Sequence, residues 1–200
     1  IIFSLSISFD STVKIIYYRL NLFFKGYLMQ LFKRIVIITT IFSAVYADEK
    51  RDIILPDLSV KLLDGKQVRL SRLLEEGPLL VDFWATWCSP CKKEMIFLEE
   101  FHQKYYEEGF RVLAISTDSP KSMSKVKSYI RAKKHTFMVG LDPNQEIARK
   151  MNALLMPTVL ILNKDRKVSW YHQGFIPGDE KEIEAQIRTV LELDQEKVGE

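Results

Sequence analysis

Trp84-Ala85-Thr86-Trp87-Cys88-Ser89-Pro90-Cys91 contains both cysteines of this 200-residue chain and sets them three apart. Thiols at that spacing can close a disulfide on one another. Upstream, Pro78-Leu79-Leu80-Val81-Asp82-Phe83-Trp84 is an apolar run of strand length; downstream, Met95, Leu98, Phe101 and Tyr105 recur on one side of a helical pattern. The pair is therefore expected where a strand passes into a helix. The first N–H groups of a helix lack intrahelical partners and lie at the positive end of its dipole, so a Cys88 thiolate is expected to be stabilised there. The thiolate is the attacking species in thiol–disulfide exchange.

The formal charge of +3 hides an asymmetry. Lys14, Arg19, Lys25, Lys33 and Arg34 face only Asp10 within the first 47 residues, whereas from Asp48 onward 24 basic residues meet 25 acidic ones. No basic surface follows, and nucleic acid is not an expected partner. Two cysteines are too few for a disulfide scaffold, and their close spacing points to redox or metal chemistry.

Residues 1–28 contain no methionine and read as upstream sequence outside the fold. Met29-Gln30-Leu31-Phe32-Lys33-Arg34 is a basic start, Ile35 to Val45 an apolar run, and Val45-Tyr46-Ala47 a cleavage-type ending, so 29–47 reads as an export signal. An uncleaved anchor is the alternative, disfavoured because the run is shorter than the ~20 residues a spanning helix needs. The domain is expected over 48–200. Leu58 to Leu62, Asp64-Gly65 and the run through Val68 and Leu70 signal a hairpin, with Ser71 as cap for the turn at Leu73-Leu74. Strands are expected at 78–84, 110–116, 136–141, 158–162 and 168–172. Helices are expected after Cys88, from Pro120, over 144–151 and around Ile183, Ile187, Val190 and Leu191. Alternating strands and helices imply a layered α/β fold with a mixed sheet.

The string from Val81 to Cys91, followed by Met156-Pro157-Thr158 ahead of an apolar strand, resembles the thioredoxin superfamily. Pro56-Asp57, the Asp64-Gly65 hairpin, Lys93-Glu94-Met95 and the additional helix and strand at 120–141 resemble its TlpA-like extracytoplasmic thiol-disulfide oxidoreductases. The resemblance covers about residues 55–193. It implies a thioredoxin-like mixed sheet flanked by helices, with an N-terminal β-hairpin and a helix-strand insertion. It also implies that Cys88 attacks, that Cys91 resolves, and that Pro157 follows a cis bond and lies against the disulfide. In thioredoxin a lysine on the next strand partners the aspartate matched by Asp82; the corresponding position here is Ala114. Asp82 is then either a core residue satisfied by backbone hydrogen bonds or, buried near Cys91, the proton relay of the resolving thiol.

Trp87 is expected to pack beside the pair and shield it and, with Met156, to bind substrate; Trp84 is expected to face the core. His102, His135 and His172 have no metal-ligand spacing to the cysteines, and neither metal nor cofactor is expected. The favoured function is a reductant of disulfides in exported proteins, including apocytochrome thiols, recharged by a membrane electron donor and located in the periplasm or otherwise outside the cytoplasm. The membrane enters only through an uncleaved anchor. The competing class is a copper or zinc chaperone with both sulfurs as ligands.

Overall fold

The chain divides into two compact units, Ile1–Arg51 and Asp52–Glu200. The computed structural model describes residues 52–193 and, in the first unit, Arg19, Tyr27, Met29, Gln30, Leu31, Lys33 and Arg34, all helical and exposed. The cleavage-type ending at Ala47 and nearly all of the upstream stretch lie outside the described residues. Among those described, no helix is long and apolar enough to cross a membrane.

In the second unit, seven strands build one mixed sheet: β1 (Ser59–Leu62), β2 (Gln67–Arg69), β3 (Leu79–Trp84), β4 (Arg111–Ser116), β5 (Met138–Leu141), β6 (Thr158–Leu162) and β7 (Val168–Gln173). Their spatial order is β2-β1-β5-β4-β3-β6-β7. β3, β4 and β5 run parallel; β6 returns antiparallel to β3, and β1 antiparallel to β5. All six residues of β3 are buried, as expected of a central strand covered on both faces.

The α-helices described in the second unit are α1 (Leu70–Leu73), α2 (Ser89–Lys104), α3 (Met123–Lys133), α4 (Glu146–Lys150) and α5 (Asp179–Val190). Alternation along β3 divides the core. Leu80 and Trp84 pack with Cys91, Met95 and Leu98 of α2, Val126 of α3 and Ile183 and Ile187 of α5. Leu79, Val81 and Phe83 pack on the other face with Leu70, Leu74, Ala148 and Met151. This is the thioredoxin-like three-layer arrangement, and α3 with β5 forms the additional helix-strand unit.

Two local expectations are corrected. Ser71 does not cap a turn at Leu73-Leu74: it lies inside α1 and donates its N–H and hydroxyl to Asp57, each at 3.0 Å. The earlier carboxylate takes the capping part because it can accept both hydrogens at once. Pro120 opens a 3-10 turn, Pro120–Ser122, which runs into α3. Before β3, a Cβ on Gly77 would collide with the carbonyl oxygen of Gly109, so this crossing requires glycine.

Candidate active site

The buried strand β3 ends at Trp84, and a tight turn closes when the Cys88 N–H donates to the Ala85 carbonyl at 3.0 Å. Cys88 occupies the cap position of α2 in extended conformation, with Pro90 in the first turn. Cys88 and Cys91 are joined by a disulfide, their Cα atoms 5.4 Å apart. The Cys88 sulfur accepts the Cys91 N–H at 3.2 Å, the role an oxygen plays in an ordinary cap. Cys88 retains 5% exposure and Cys91 none, so the outer sulfur is the one a partner can reach.

Two buried carboxyls lie between β3 and α2, one from each element. Asp82 shares the sheet face of Leu80 and Trp84, and its neighbours in register are Ala114 and Val159, neither able to donate a side-chain hydrogen bond. Glu94 is one helical turn beyond Cys91 and fully buried. Among the described residues, neither carboxyl has a hydrogen-bond partner. Burial pushes the Asp82 carboxyl up to about 8. Burial first, then the charges of Asp82 and Asp179, push Glu94 up to about 10. Desolvation without donors favours the protonated form, so both acids hold a proton at neutral pH, Asp82 less tightly than Glu94. Glu94 carries no signal in apolar periodicity. The sequence brings it up only within the Lys93-Glu94-Met95 string of the family resemblance; its burial could have been read from an acid three residues after Cys91, inside the stripe of Cys91, Met95 and Leu98.

The Met156–Pro157 peptide is cis and Pro157 is buried. Met156 packs against the cluster that contains both cysteines, and its sulfur lies 3.1 Å from the Thr117 hydroxyl. Leu154 and Leu155, just ahead, are exposed. Trp84 faces the core as expected, stacked at a tilt on Tyr129 with ring centroids 5.4 Å apart. Trp87 does not shield the pair: it is 70% exposed. In that turn Thr86 is the residue drawn inward, through hydrogen bonds to Asp118, and Trp87 is left on the outside.

The histidines are packed. His102 meets Tyr106 edge-on, His135 stacks on Phe137, and His172 stacks on Trp170. Burial lowers the pKa of His102 and His135. Among the described residues, no group of three or more His, Cys, Asp or Glu could hold a metal ion.

A family model described as Redoxin matches residues 50–187. Thiol-disulfide oxidoreductase ResA from Bacillus thuringiensis subsp. konkukian is 34% identical over 113 residues, 56% of this chain and 64% of that protein. The chain thus spans less than two thirds of that relative's length. ResA from Bacillus anthracis is 33% identical over 132 residues, 64% of this chain and 75% of that protein. A Chlorobium tepidum structure assigned as a thiol:disulfide interchange protein DsbE superposes with a TM-score of 0.65 at 28% identity, covering 70% of this chain and 96% of that one. A thioredoxin-like protein from Porphyromonas gingivalis gives 0.59 at 31% identity, covering 69% and 92%. With a family match over most of the second unit and the same fold in these structures, the chain belongs to the Redoxin family, among the TlpA-like proteins of the thioredoxin superfamily.

Proposed function

We propose that this chain is an extracytoplasmic thiol-disulfide oxidoreductase that reduces disulfides in exported proteins, those of apocytochromes among its targets. The observation that carries this reading is the Cys88 sulfur seated on the Cys91 N–H at the start of α2. After reduction the same N–H faces a thiolate, which the helix terminus stabilises. The Cys88 thiolate attacks one sulfur of a partner disulfide, forming a mixed disulfide and expelling the partner's other sulfur as thiolate. Cys91 then loses its proton to the ionised form of Asp82, the weaker holder of the two acids, while Glu94 keeps its own proton, and attacks Cys88, releasing the partner's second thiolate. Two thiols here become a disulfide, and the partner's disulfide becomes two thiols. A membrane dithiol donor restores the reduced pair, Pro157 lies against the disulfide, and Met156 and Trp87 present the surface on which the partner lies. Export through 29–47 places the domain over 48–200 outside the cytoplasmic membrane.

Replacing Cys91 by Ser is expected to accumulate mixed disulfides on Cys88 that reductant clears, while Cys88→Ser traps almost nothing and both lose insulin reduction. Equal trapping by the two variants sinks the assignment. Loss of stoichiometric copper(I) binding in both, with no trapping in either, puts a metal chaperone in its place. A glutathione equilibrium placing the pair at about −120 mV marks an oxidant rather than a reductant. Intact mass of the exported form beginning at Asp48 tests the signal; a cytoplasmic form that keeps Met29 removes the compartment.

A further inference from the structure

Asp118 is only 2% exposed, and its carboxylate is filled by donors from two places in the chain. The Ser116 hydroxyl donates to Oδ2 at 3.0 Å and accepts the Asp118 N–H at 3.2 Å, a local contact. The remaining two bonds go to a single residue 32 positions earlier. The Thr86 N–H donates to Oδ2 at 2.8 Å and the Thr86 hydroxyl to Oδ1 at 2.6 Å. β3 and β4 are already joined without them, through the register that ends at Trp84 opposite Ser116 and through the Thr117 N–H on the Trp84 carbonyl at 2.9 Å. Thr86 is half-buried, so water could satisfy its polar groups. A buried carboxylate grips them instead, in the middle of the turn that Cys88 closes.

The disulfide ties the Cys88 sulfur to Cys91 by a covalent bond. In the reduced protein that tie is gone, and the sulfur stays over the helix N-terminus only if its turn is held by other means. We propose that Asp118 is a positioning residue for the thiol chemistry: by gripping Thr86 it holds the Ala85–Cys88 turn so that the reduced Cys88 sulfur remains on the first N–H groups of α2. This rests on Cys88 being the attacking thiol. A nucleophile kept in place by the fold gives up less freedom on reaching the transition state. The sign of the effect separates positioning from charge. Removing a nearby negative charge favours a thiolate, whereas loosening the turn takes the thiolate away from its N–H donor.

The test uses the full chain in a Cys91→Ser background, reduced, and reads the pH profile of Cys88 alkylation by iodoacetamide, with insulin reduction by the unmodified protein measured beside it. Asp118→Ala is expected to raise the alkylation midpoint by about one pH unit, a roughly tenfold loss of thiolate below the midpoint. Thr86→Val is expected to move it the same way by less, and the double variant no further than Asp118→Ala alone, because both cut one contact. Asp118→Asn keeps an acceptor for the Thr86 N–H and a donor for its hydroxyl, and is expected to restore the parent midpoint or fall below it. An unchanged or lowered midpoint in folded Asp118→Ala overturns the proposal; if that variant fails to fold, an unchanged midpoint in Thr86→Val does so. If the unmodified protein does not reduce insulin while Asp118→Ala still shifts the midpoint, the oxidoreductase reading falls and the clamp stands.

Discussion

Two regions of this molecule bury carboxyl groups and treat them in opposite ways. At the C-terminal ends of β4 and β5, Asp118 and Asp142 are buried and surrounded by donors: Asp118 by Thr86 and Ser116, Asp142 by the N–H groups of Glu146 and Ala148, both at 2.8 Å. Between β3 and α2, Asp82 and Glu94 are buried at least as deeply and, among the described residues, meet no donor. The same functional group is a fastener in the first region and a titrating acid in the second. Burial costs a carboxylate its hydration; donors offset that cost, and without them the group keeps its proton.

The widest separation between the regions should appear in turnover. Replacing Asp82 by Asn together with Glu94 by Gln removes the acceptor for the Cys91 proton, and steady-state insulin reduction is expected to fall about a hundredfold, within the usual range for a lost general base. The initial attack by Cys88, followed as mixed-disulfide formation in rapid mixing, should hardly change. Equal slowing of both steps would remove the distinction between proton store and fastener.

Asp142→Ala is expected to behave oppositely. Losing two backbone N–H bonds to a buried carboxylate should cost about 2 kcal/mol in urea unfolding, while turnover per folded molecule stays near that of the parent. A loss of turnover without a loss of stability would place Asp142 among the acids of the site.

A smaller effect follows from linkage. Folding raises the Asp82 carboxyl from the ordinary carboxylate value to about 8 and Glu94 to about 10. The unfolded chain releases these protons first, so the stability they allow is fully present below pH about 4. It declines as pH rises through 8 and on toward 10. Urea midpoints of the Asp82→Asn, Glu94→Gln variant should therefore gain on the parent as pH rises from 5 to 9. Parallel profiles would mean that both acids are already ionised in the folded protein.

The smallest change is expected at Trp87, which lies outside both regions. Trp87→Ala should alter stability by less than about 0.5 kcal/mol, as at other exposed sites, but raise KM for insulin a few-fold. A marked loss of stability would restore the shielding role that its exposure denies.

Sequence by itself determined the parts whose physics is local. The mostly apolar run of β3, the helical stripe of Met95, Leu98 and Phe101, and a cysteine pair set between them can be read because side-chain direction repeats with known period along a helix or strand. Asp82 could be singled out because a charge interrupted that run. Whether it had a partner was decided elsewhere, by Ala114 and Val159 beside it in the sheet and by Glu94 above it on the helix. Tertiary structure alone decided that Asp57 rather than Ser71 caps α1, that Trp87 faces solvent, and that Asp118 reaches back 32 residues to Thr86. A hydrogen bond depends on two groups meeting at about 3 Å, and for groups far apart in the chain that meeting is set by strand order and register, which no local period records.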